Sequence, residues 1–177
     1  EKTQCKYSNY IFRTRRPSKR FRDEKKISLF FVIFVPHKRT TTMKIGIIVA
    51  MDKELRLLLP LLEGHTTETV NGISIHRGTL GCHSLAVVKC GIGKVNAAIG
   101  TTELIGAFAP DAIVSTGVAG GASTALNVCD VVVARQTCYH DVYCGNEVAY
   151  GQVIGQPARF EADARLLECA TKMDCTT

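Results

Sequence analysis

The chain has 177 residues, enough for one domain of ordinary size and too few for two. With 46% hydrophobic and 21% charged residues, its composition excludes disorder, collagen and a coiled coil as readings of the whole chain. The net charge of +6 is split by position: residues 1–42 hold 12 Lys/Arg against 3 Asp/Glu, a balance of +9, and residues 43–177 hold 10 against 13, a balance of −3.

The first segment, residues 1–42, carries the basic run from Arg13 to Arg22 and then the apolar run from Ile27 to Val35. The apolar run is too short to span a bilayer, and Pro36-His37-Lys38-Arg39 follows it where a signal peptide would have small residues. Basic residues interleaved with aromatics also fit a nucleic-acid tail, whose binding would be salt-dependent and lost on deletion. The reading adopted is a basic extension outside the fold, with no nucleic-acid partner, followed by a domain that opens at Met43.

Met43 to Ala50 is a continuous β-branched apolar run, the pattern of a buried strand in a mostly parallel sheet. Asp52 is placed to cap a following helix that presents Leu55, Leu58, Leu59 and Leu62 on one face, with Pro60 bending or ending it. Asn71-Gly72 signals a turn before strands expected at Ile73 to Arg77 and Leu85 to Lys89. Gly91-Ile92-Gly93 leads into a helix with Val95, Ala98, Ile99, Thr102 and Ile105 at helical spacing, closed by Pro110. Asp111 to Ser115 is a second buried strand, ending in the loop Thr116 to Gly121, and Val131 to Ala134 is a further strand. Ala162 to Met173 is expected as an amphipathic helix. Alternating strands and helices imply an α/β fold in three layers, a mixed, mostly parallel sheet flanked by helices, and incomplete at the C-terminus because no strand follows the last helix.

The eight cysteines include no Cys-x-x-Cys pair. Cys90 and Cys129 border apolar strands, where a thiol behaves as a small hydrophobe, so the thiols are read as structural ones in a reducing cytoplasm. Cys82-His83 lies near His76 without a second ligand cluster at zinc spacing, so neither a metal nor any other cofactor is expected.

In an open α/β sheet, ligands bind beyond the carboxyl ends of the strands. Three such ends carry candidate chemistry: Met51 with Glu54, then Gly91-Ile92-Gly93, then Gly117 to Gly121. Gly91-x-Gly93 lacks the third glycine and the spacing of a dinucleotide fingerprint. Taken together, Met43-Lys-Ile-Gly-Ile-Ile-Val-Ala-Met-Asp-Lys-Glu54, Lys89-Cys-Gly-Ile-Gly-Lys-Val-Asn-Ala-Ala98, Ser115-Thr-Gly-Val-Ala-Gly-Gly121 and Tyr139-His-Asp141 resemble the bacterial 5′-methylthioadenosine/S-adenosylhomocysteine nucleosidases, a branch of the purine nucleoside phosphorylase superfamily. The resemblance implies hydrolysis of the bond between adenine and a 5′-thio-substituted ribose, with a small-molecule nucleoside as partner and no membrane association.

By that resemblance Glu54 is the catalytic carboxylate that positions and deprotonates water. Met51 and Ile92 match positions around the ribose and its thioether, and Val118, Ala119 and Gly120 match the loop beside sugar and base. Many relatives have Ser where Val118 stands. The resemblance also implies a purine-protonating Asp and a ribose-gripping Met-Glu pair from a later part of the domain. Residues 43–177 are therefore expected to be the N-terminal portion of a nucleoside phosphorylase-like domain, inactive by themselves and homodimeric when full length. A phosphorylase or an aminofutalosine nucleosidase of the same superfamily is the alternative. The acidic first loop, without Gly-Asp-Pro and Arg, favours water over phosphate as the nucleophile.

Overall fold

A computed structural model describes residues 42–172 other than 122, 125 and 129, together with the backbone of residues 10–12 and 27–34. The order is β1 (Tyr10–Phe12), β2 (Ile27–Phe34), β3 (Lys44–Val49), α1 (Asp52–Leu58), β4 (Glu63–Val70), β5 (Ile73–Leu80), β6 (His83–Lys89), α2 (Lys94–Phe108), β7 (Ala112–Ala119), β8 (Val131–Val133), β9 (Gln136–Thr137), β10 (Phe160–Glu161) and α3 (Ala164–Thr171). Eight strands form one mixed sheet in the order β1-β8-β2-β7-β3-β6-β5-β4, and β9 pairs with β10 separately.

The parallel heart of the large sheet is β6-β3-β7, with Ile47 of β3 level with Val87 on one side and Val114 on the other. Strand alternation explains how these apolar runs become two-sided. Val49, Leu85 and Val87 pack with Leu55 and Leu62 on the face covered by α1. Ile48, Ala86, Val88 and Ile113 pack with Leu104 and Phe108 of α2 on the other face. Three layers follow directly: a helix, the sheet, and a second helix.

α1 ends at Leu58, and the chain continues through Pro60 as a short 3₁₀ turn over Leu59–Leu61, so Pro60 stands where the α-helix stops. The Asn71-Gly72 turn is also present, with both residues at positive φ (48° and 81°), the conformation that the tightest hairpins require. It joins β5 to β4, a strand the sequence reading did not contain. β4 reads Glu-Gly-His-Thr-Thr-Glu-Thr-Val and is exposed along almost its whole length, so it has no apolar periodicity to betray it.

Three expectations are corrected. The α2 stripe Val95, Ala98, Ile99, Thr102 and Ile105 does not face the sheet; Gly100, Leu104 and Phe108 are the residues buried against it. Gly100 decides this orientation, because a Cβ there would lie 2.5 Å from the Cβ of Cys90. Only a glycine lets the helix approach so closely. Second, β7 continues to Ala119, so Thr116 to Ala119 belong to a strand and not to a loop. Third, the cap of α1 is not Asp52, as described below. Within residues 1–42, Ile27–Phe34 form β2 antiparallel to β7, with Ile27 opposite Ala119 and Phe34 opposite Ala112, and Tyr10–Phe12 form β1 antiparallel to β8. An apolar, β-branched and aromatic run has high strand propensity, and the β7 edge offers it unpaired backbone groups. The basic run Arg13 to Arg22 lies outside the described residues, as does Cys129.

Among the described residues no helix is long and apolar enough to cross a membrane.

Candidate active site

The carboxyl ends of β3, β6 and β7 open on one side of the sheet, and a cavity of about 330 Å³ lies there. Its walls come from all three strand ends: Val49 at the end of β3 with Ala50 after it, Cys90 and Gly91 after β6, and Ser115 to Ala119 of β7. α2 adds Lys94 and Ala97, and α1 adds Glu54. The location is the one that parallel α/β topology dictates, because each strand ends there in a turn that leaves backbone amides exposed.

Glu54 is the most constrained side chain of the site. It is the third residue of α1, and its Oε2 accepts the backbone N–H groups of Ala50 (3.0 Å) and Met51 (2.9 Å). The carboxylate thus reaches back to the residue preceding the helix in the manner of a capping box. Asp52, the expected cap, turns outward instead and accepts a bond from Lys89 Nζ at 2.8 Å. That ammonium holds the Asp52 carboxyl below the usual carboxylate range. Across the cavity, Glu54 Oε1 accepts the N–H of Val118 at 3.1 Å. One carboxylate therefore ties the start of α1 to the end of β7, although 64 residues separate them.

A carboxylate offers about four acceptor positions. Backbone donors occupy two on Oε2 and one on Oε1, so the position left open is on Oε1, within the cavity wall. Space around it is tight, since a Cβ on Gly117 would lie 2.7 Å from this same oxygen.

The other predicted residues are less uniformly placed. Val118 and Ala119 line the cavity. Met51 is half-buried, and its contribution to the arrangement is its backbone: its carbonyl accepts the first N–H bonds of α1, from Glu54 and Leu55. Ile92 is 74% exposed at the rim, and Gly120 is exposed beyond the end of β7; neither is among the lining residues.

Sequence reasoning passed over Lys94. It opens α2 directly after Gly93, lines the cavity, and holds Asp141 at 2.5 Å while lying 5.6 Å from the Tyr139 ring centre. The Lys94 contact holds the Asp141 carboxyl below its usual range, and His140 stands further off at 3.8 Å. His140-Asp141 is thus part of a tether between the 139–141 segment and α2. Cys90, also in the wall, is a half-buried thiol directed at the carbonyls of Val49 and Gly91, both at 3.3 Å, and burial raises its pKa. Among the described residues no group of three His, Cys, Asp or Glu side chains is arranged to cage a metal ion.

An α/β domain with a pinned carboxylate in a cavity at the ends of three parallel strands belongs to the small-molecule-binding class of such folds. Comparison with known proteins makes the class specific. A sequence model of the phosphorylase superfamily matches residues 44–176, and the chain belongs to that family. It is 45% identical over 129 residues to the 5′-methylthioadenosine/S-adenosylhomocysteine nucleosidase of Anoxybacillus flavithermus, covering 72% of this chain and 56% of that protein. The chain thus spans little more than half the length of such relatives. Among solved structures, the corresponding nucleosidase of Neisseria meningitidis, in complex with methylthio-immucillin-A, superposes with a TM-score of 0.67 at 34% identity, covering 73% of this chain and 56% of that one. The futalosine hydrolase of Helicobacter pylori superposes with a TM-score of 0.64 at 26% identity, covering 73% and 56%.

Proposed function

We propose that the gene product carrying this sequence hydrolyses the N-glycosidic bond of 5′-methylthioadenosine and S-adenosylhomocysteine, with Glu54 as the general base. The observation that carries this reading is the three-point anchoring of Glu54, which leaves one carboxylate position open toward the cavity. A water held there would lose its proton to Oε1 as its oxygen bonds to the anomeric carbon. The bond from that carbon to the purine nitrogen breaks, its electron pair leaves with adenine, and adenine takes up a proton. Rigid backbone donors suit the task, since a base that cannot rotate keeps the water aligned with a short-lived oxocarbenium-like centre.

The lining supports water over phosphate as the nucleophile. Lys94 is the cationic side chain of the wall, and its charge is engaged by Asp141, while Glu54 would repel an anion. The apolar contributions of Ile48, Val49, Val118 and Ala119 suit a thioether better than a charged group. The likeness to the futalosine hydrolase supports a second reading in which the nucleoside carries a different 5′ substituent. The test is adenine release from methylthioadenosine by the complete gene product in phosphate-free buffer. Turnover that depends on phosphate, or release from an aminofutalosine substrate alone, overturns the first reading.

We further propose that the protein acts as a homodimer through α2. A helix apolar on both faces is normally covered on both, and here Val95 (73% exposed), Ile99 and Ile105 lie uncovered on the outer one. Sedimentation of the complete gene product should give a dimer, and Ile99→Glu should shift it toward monomer. A monomer at micromolar concentration, or a dimer indifferent to the substitution, counts against this face.

A further inference from the structure

The β4–β5 hairpin carries a cluster that the nucleosidase reading does not use. Thr67 of β4 lies opposite His76 of β5, and His65 stands two residues along β4 on the same face. Nε2 of His65 and Nδ1 of His76 are 3.1 Å apart, with ring centres 5.3 Å apart and planes inclined by 34°. The Thr67 hydroxyl lies 3.3 Å from the first nitrogen and 3.1 Å from the second. Three donor atoms from two strands therefore form a nearly equilateral triangle on the exposed side of the hairpin. None of the residues that line the cavity belongs to β4 or β5.

Two imidazole nitrogens that share a metal ion at 2.0–2.1 Å are separated by about 2.9 Å at a right angle and about 3.4 Å at the tetrahedral angle. The observed separation falls inside that window without any movement of the strands. We propose that His65 and His76 form a surface chelate for a single divalent transition ion of the nickel, copper(II) or zinc type, with the Thr67 hydroxyl steadying a water ligand. Imidazole is the preferred donor for this group of ions, and carboxylate-seeking magnesium or calcium would not be held by it.

Proton accounting is simple. Without metal, one ring donates its N–H to the other across the 3.1 Å contact. With metal, the donating ring shifts its proton to the far nitrogen and the other ring keeps its own there, Nδ1 of His65 and Nε2 of His76, so the bridging position passes from proton to cation with no net proton released from two neutral rings. Because only the hairpin register brings the two rings together, the ion would bind the folded hairpin and fasten the exposed edge strand β4 to β5.

The experiment is a titration of the whole protein with Ni²⁺, followed by calorimetry and by the histidine ring signals in NMR. The chain has five histidines, so His37, His83 and His140 act as internal references. The expected result is one Ni²⁺ per chain, with the signals of His65 and His76 broadened first, and affinity weakened at least about tenfold by either His65→Asn or His76→Asn. Broadening that begins at His83 beside Cys82, or affinity unchanged in both variants, overturns the proposal. The NMR measurement on the unaltered protein stands even where a variant folds poorly.

Discussion

Glu54→Gln in the complete gene product is expected to lower adenine release from methylthioadenosine by about 10²–10⁴-fold, the range usual for loss of a positioned general base. Glutamine preserves the length of the side chain but has no basic oxygen to take the proton of the attacking water. The anchoring adds a second consequence. The amide oxygen can accept the N–H groups of Ala50 and Met51, which leaves the amide nitrogen facing the N–H of Val118, donor against donor. Val118 is exposed, so water can take over its N–H and the loss costs less than the about 1–3 kcal/mol of a fully buried donor; the variant should melt only slightly earlier. Measuring turnover at a temperature where both proteins remain folded separates the two effects. Activity within tenfold of the parent would remove Glu54 from the mechanism.

Gly117→Ala should be nearly as damaging to activity and much milder for the fold. The added methyl would sit 2.7 Å from Glu54 Oε1, closer than any real contact allows. The strand backbone of β7 is held in register by its neighbours, whereas the carboxylate is the end of a side chain, so the carboxylate is what moves. It then loses the Val118 bond and the alignment of its open position. Displacements of about 1 Å at a reacting group cost on the order of 10²-fold in rate. The expected outcome is a fall of that size in kcat with an almost unchanged melting temperature. Parent-like kcat would show that the position of Oε1 is not critical.

Much of this site was readable in the chain before folding. The runs Met43 to Ala50 and Asp111 to Ser115 announce buried strands, and the glycines around their ends announce turns where a ligand can approach. The four linked motifs led to the family that residues 44–176 match. Local signals also served at Asn71-Gly72 and Pro60, where one or two residues dictate backbone geometry regardless of their surroundings. They failed at β4, whose polar sequence forms a strand only because β5 lends it hydrogen-bond partners.

Periodicity by itself determined the α/β class and the order of its central elements, and it was the resemblance to the nucleosidases that singled out Glu54. Which face of α2 turns inward was decided by tertiary packing, because both faces are apolar and only the closeness of Gly100 to Cys90 distinguishes them. Tertiary structure likewise decided that Glu54 rather than Asp52 caps α1, since the competing attraction of Asp52 to Lys89 arises only when β6 lies beside β3. The same holds for the Lys94–Asp141 tether and the His65–His76 pair, whose members are 47 and 11 residues apart. Hydrophobic pattern is a property of neighbouring residues and can be read along the chain. Hydrogen bonds and ion pairs between distant residues depend on positions good to a fraction of an ångström, which exist only after the strands have found their register.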